Sequence, residues 1–176
     1  FDRPGRYIYI RDNDSGEFWS LGWQPVMKKP ERFEARHGIG YTAIESSNDG
    51  VDGSVLFFVP REDNCEIWQV KLTNSGAKKR NLSIFFFIEW GLGQQKSNAQ
   101  EASFNDLFNF TVFRNDAIFA GKRHWETSAQ TGLYWDKVAF FALDHAVDSF
   151  DCQKDKFTGV YGDIIRPQAV VEGKCS

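Results

Sequence analysis

From Glu66 to Asn74 the chain alternates without a break: Trp68, Val70 and Leu72 fall on one side, Gln69, Lys71 and Thr73 on the other. That period of two predicts a strand with one buried and one wet face. Val55–Val59 and Leu82–Trp90 are instead apolar at nearly every position, the pattern of strands buried between two layers. Pro60 ends the first of these, because proline has no N–H for a central ladder. Tyr7–Ile10, Glu17–Trp23, Phe108–Phe113, Ala117–Ala120 and Val138–Leu143 complete the set, with Val138–Leu143 expected as a core strand.

Turn chemistry separates these runs. Asp12-Asn13-Asp14-Ser15-Gly16, Asn48-Asp49-Gly50 and Arg114-Asn115-Asp116 all carry residues that accept positive φ or bond to their own backbone. Residues 32–59 are expected to form two strands joined at Asn48-Asp49-Gly50, with Arg36-His37-Gly38-Ile39-Gly40 as a flank ahead of the hairpin. Gly91–Gln100 is polar, carries glycine and has no period, which marks it as a functional loop. Asp144–Ser176 is loop-rich, anchored by Phe150 and Phe157, and no helical period exceeds about two turns. Strands at regular spacing with turns between them predict an all-β fold, an antiparallel β-sandwich. The chain has no initiating Met and ends at Glu172-Gly173-Lys174-Cys175-Ser176 without a closing strand. The sandwich is therefore expected to be incomplete at both ends, with residues 1–176 forming one domain of a larger protein.

Composition narrows the function classes. The 17 Phe, 6 Trp and 5 Tyr suit both strand packing and a carbohydrate surface. A net charge of −3, with no basic patch interleaved with aromatics, argues against nucleic acid. No apolar run approaches the roughly 20 residues that span a bilayer, and the polar start Phe1–Arg6 is no signal peptide. Cys65, Cys152 and Cys175 are odd in number and irregular in spacing, so they predict free thiols in a reducing cytoplasm, with no disulfide framework and no metal site.

Chemistry-bearing clusters are few. His37, His124 and His145 lie far apart, no Gly-x-Ser-x-Gly elbow exists, and Gly91-x-Gly93 lacks the rest of a phosphate-loop motif. Asp12–Gly16 has the oxygen ligands of a calcium loop but no Glu at the spacing such a loop needs, so a plain turn is preferred. Arg36-His37-Gly38 has two readings: a polar cluster facing a ligand or neighbouring domain, or a structural charge pair with Glu34 or Glu45 beside glycines that permit a bulge. Trp19, Trp23, Trp125 and Trp135 could stack on sugars or pack in a core or interface. Lys122-Arg123-His124 could contact a phosphate or carboxylate, or form a solvated turn. On residues alone the chain is a sandwich and not a self-sufficient enzyme. A free-standing, lectin-like carbohydrate-binding sandwich and an oligomerisation domain stay open.

The order of motifs adds a family. Arg6–Asp12 leads to Ser15-Gly16-Glu17-Phe18-Trp19-Ser20 and Trp23-Gln24-Pro25-Val26, then Phe33–Thr42 and Phe58-Val59-Pro60. Glu66-Ile67-Trp68, Leu72-Thr73-Asn74, Leu82-Ser83-Ile84-Phe85 and Ile88-Glu89-Trp90 follow. The tail holds Phe150-Asp151, Asp155-x-Phe157-x-Gly159-x-Tyr161 and Val171–Ser176. This series resembles the N-terminal supersandwich domain of glycoside hydrolase family 94, the inverting β-glucoside phosphorylases. The resemblance implies cleavage of a di- or oligosaccharide by inorganic phosphate to a sugar 1-phosphate, with no metal or organic cofactor. It implies a catalytic Asp on a following (α/α)₆ barrel and therefore no catalytic residue in this chain. It also implies a homodimer in which a sandwich loop reaches the partner's active site. In cellobiose-specific relatives that loop carries a Gln-Arg pair after an aromatic residue. The matching place here is Phe104-Asn105-Asp106, which makes Asn105 and Asp106 the substrate-binding candidates. A carboxylate where the relatives have a guanidinium turns a donor fork into an acceptor and puts cellobiose specificity in doubt.

Overall fold

The computed structural model describes residues 5–92, 108–123 and 137–176. Among these it holds strands β1 (Arg6–Asp12), β2 (Phe18–Ser20), β3 (Arg32–Gly38), β4 (Tyr41–Asn48), β5 (Val51–Phe58), β6 (Ile67–Asn74), β7 (Leu82–Ile88), β8 (Asn109–Arg114), β9 (Ala117–Lys122) and β10 (Ala139–Ala142). Two short helices follow, α1 (Lys154–Thr158) and α2 (Gln168–Glu172). The strands form three antiparallel sheets, ordered β2-β1-β7, β3-β4-β5-β6 and β10-β9-β8. The fold is the all-β sandwich that the strand pattern predicts.

The β2-β1-β7 sheet is the middle layer, covered on both faces. Toward the four-stranded sheet, Ile8, Ile10, Trp19 and Leu21 meet Val51 and Val55, with Trp68, Val70, Leu72 and Phe86 packed around them. The alternation of β6 is fulfilled here, because only its Trp68–Val70–Leu72 side meets another layer. On the opposite face Tyr9, Phe85 and Phe87 meet Phe157, Ile164, Ala169 and Val170 from the C-terminal segment. β7 thus serves two cores, which is why its sequence is apolar at every position but Ser83. Gly53 of β5 packs closely against its neighbours: a Cβ there would lie 2.9 Å from Leu21 and 3.3 Å from Leu72. The third sheet joins through Phe141 of β10, whose ring lies 5.2 Å from Trp68 and 6.1 Å from Phe86.

The predicted turns at 48–50 and 114–116 are tight two-residue connections. Asp49 and Gly50 take φ 50° and 74°, and Asn115 and Asp116 take 51° and 56°, as a twisted hairpin demands. Several expectations are corrected. Residues 32–59 form three strands, not two, since the Arg36-His37-Gly38 flank is itself the end of β3. The second strand stops at Ser20, not Trp23: the Ser20 carbonyl accepts the Trp23 N–H at 3.2 Å, and Trp23 sits at φ 69°. Val55–Val59 is not buried on both faces: Val55 is buried, Leu56, Phe57 and Phe58 are half-buried, and Val59 is exposed. The Val138–Leu143 stretch is a half-exposed sheet edge rather than a core strand, with Phe140 in solvent.

Candidate functional site

The loop that sequence singled out for substrate contact has its ends in the described structure and its middle outside it. Asn105 and Asp106 lie outside the described residues, as do Phe104, His124, Trp125 and Trp135. Its two ends are held together. Asn109 Nδ2 donates to the Trp90 carbonyl at 3.2 Å, Lys122 Nζ donates to the Leu92 carbonyl at 3.0 Å, and the Arg123 N–H donates to the Phe108 carbonyl at 2.8 Å. Leu92 itself is buried. The β8-β9 hairpin and the segment after β7 are thus bonded to each other on either side of residues 93–107, and Lys122 takes part in those bonds.

At the other end of the sandwich a cleft of about 370 Å³ is lined by Asp12, Ser15, Glu17, Trp19, Lys28, Asp49 and Arg80. Asp12 belongs to the turn that resembled a calcium loop. It points inward and pairs with Arg80 at 2.6 Å, and it accepts the Asp14 and Ser15 N–H groups at 2.9 and 3.2 Å. Arg80 also donates to the Asp49 carbonyl, while Lys28 bridges Asp49 at 2.8 Å and Glu17 at 3.1 Å. Each cation in the cleft is matched to carboxylates, so the cluster staples three turns together. Among the described residues no three His, Cys, Asp or Glu converge on a possible metal position.

Burial alone would push the Asp12 carboxyl up. Hydrogen bonds from Arg80 and from the Ser15 and Asp14 N–H groups outweigh it and hold the group below the ordinary carboxylate value. A carboxyl depressed on folding contributes stability above its unfolded value, near 3.9, and loses it as pH falls through the folded value. Urea midpoints should therefore drop as pH is lowered below about 4. The Asp12→Asn variant should start lower at pH 7 and lose less on acidification. Equal acid slopes for the two proteins would show that the Asp12–Arg80 pair is not part of the acid response.

Arg36-His37-Gly38 bears out the charge-pair part of the structural reading but not the bulge, since β3 pairs with β4 without a break from Arg32 to Gly38. Arg36 bridges Glu34 at 3.0 Å and Glu45 at 2.6 Å, and His37 Nδ1 meets the Thr42 hydroxyl at 3.0 Å. Gly38 pairs with Tyr41 across a two-residue turn in which Gly40 takes φ 80°. Of the tryptophans proposed for sugar stacking, Trp19 is 2% exposed and so has no free face, while Trp23 is 44% exposed. Cys65, Cys152 and Cys175 are free thiols; burial and the Asp151 charge push Cys175 up to about 11.

The supersandwich domain of glycosyl hydrolase 94 matches residues 1–176, the whole chain. The chain belongs to glycosyl hydrolase family 94. Within that family it is similar to an N,N'-diacetylchitobiose phosphorylase of Vibrio proteolyticus, 34% identical over 178 residues, covering 100% of this chain and 22% of that protein. It is also similar to a solabiose phosphorylase of Paenibacillus borealis, 34% identical over 176 residues with the same 100% and 22% coverage. A cellobionic acid phosphorylase of Neurospora crassa is 25% identical over 175 residues, 98% of this chain and 21% of its own length. The chain thus spans about a fifth of these family 94 relatives. Among the described residues no helix is long and apolar enough to cross a membrane.

Proposed function

We propose that this chain is a single domain, the N-terminal sandwich of a larger cytoplasmic glycoside phosphorylase. The parent enzyme uses inorganic phosphate to cleave a β-linked disaccharide, forming a sugar 1-phosphate with inverted anomeric configuration and releasing the second sugar. Phosphate is the nucleophile, so the reaction takes one carboxylic acid, donated from a following helical barrel, and no metal or organic cofactor. The sandwich packs on that barrel and contributes to a homodimer. Asn105 and Asp106, on the loop flanked by the bonds at Trp90, Leu92 and Phe108, form part of the substrate wall.

The observation that carries this reading is the family match along all of residues 1–176. The relatives' names cover chitobiose, solabiose and cellobionic acid, so the β-glucoside expectation widens to β-linked disaccharides in general. Of the described tryptophans, Trp19 is enclosed and Trp68 packs against Phe57, Phe86 and Phe141, which leaves Trp23, 44% exposed, as the ring a lectin-like alternative would use.

The test is sugar 1-phosphate formation from cellobiose, N,N'-diacetylchitobiose and solabiose, with and without phosphate. The parent protein should yield sugar 1-phosphate from at least one of them in a phosphate-dependent manner, and residues 1–176 alone should yield none. Turnover by residues 1–176 alone, or phosphate-independent hydrolysis by the parent, overturns the reading. Saturable quenching of tryptophan fluorescence by these sugars on residues 1–176 alone would favour the lectin.

A further inference from the structure

We draw no further inference here: the strongest candidate, the apolar face of the β8-β9-β10 sheet on which Val112, Phe119 and Phe140 align across the three strands beside the exposed Phe110, is bare only among the described residues, and nothing in the structure shows what covers it.

Discussion

Replacing Trp19 with alanine is expected to lower the thermal midpoint by roughly 6–20 °C, the equivalent of about 3–5 kcal/mol in a domain of this size. Trp19 is 2% exposed and sits among Ile8, Ile10, Leu21, Val51 and Val55, so its removal leaves a cavity between two sheets that cannot slide together. Strand pairing fixes Ile10 opposite Trp19, and Gly53 of β5 leaves no room for a Cβ, which would lie 2.9 Å from Leu21. The substitution also removes the ring over which Lys28 Nζ rests, 5.5 Å from its centroid. Trp23→Ala is the control: at 44% exposure its loss should shift the midpoint by little more than about 1–2 °C. A Trp19→Ala protein that melts like wild type would remove the inter-sheet core from this description.

That contrast also shows what sequence can and cannot reveal. Trp19 and Trp23 belong to one aromatic run, Phe18-Trp19-Ser20-Leu21-Gly22-Trp23, and look equivalent as sugar platforms. Burial separates them, and burial is set by a sheet contributed from residues 51–72. β6 was legible because one covered face imposes strict alternation, and β7 because two covered faces abolish it. β3 was passed over although Phe33 and Ala35 alternate with Arg32, Glu34 and Arg36, because all its residues are exposed and the charged Arg36-His37-Gly38 end reads as a flank. α1 and α2 are five residues each, too short for a periodic signal, and form where Phe157, Ala169 and Val170 can reach the β1-β7 face.

The charge staple was hidden for a different reason. Asp12 and Arg80 are 68 positions apart, so the local string Asp12–Gly16 advertised oxygen ligands while its actual partner lay five strands further along the chain. Arg36 was the reverse case: its partners Glu34 and Glu45 are 2 and 9 positions away, and both were named from sequence. The family itself was legible through the order of many weak motifs, none of which is chemical. What they share is placement at strand ends, turns and the two cores, which is why they identify the scaffold before any reacting group.

Tyr9 should give the second large effect, and two substitutions separate its parts. Tyr9 is fully buried in the core that the C-terminal segment completes, with its ring 5.9 Å from Phe157. Its hydroxyl donates to the Ile164 carbonyl at 2.8 Å, a bond that ties residue 9 to residue 164 across the chain. Burial pushes the hydroxyl well above the ordinary tyrosine range, so it stays a donor at every pH the fold survives. Tyr9→Phe keeps the ring and leaves a buried carbonyl without its donor, at a cost of about 1–3 kcal/mol. Tyr9→Ala removes the ring as well, at about 3–5 kcal/mol. The loss should be local before it is global. Residues 144–176 attach through Phe157, Ile164, Ala169 and Val170, through Arg11 donating to the Val171 carbonyl at 3.3 Å, and through the Lys154–Glu89 pair. In Tyr9→Ala, amide exchange at Val171, Gly173 and Lys174, whose N–H groups close the turn of α2, should accelerate more than exchange in β5 and β6. Uniform acceleration across both regions would instead mean that the two cores unfold as one unit, and that the middle sheet couples them too tightly for the C-terminal layer to open alone.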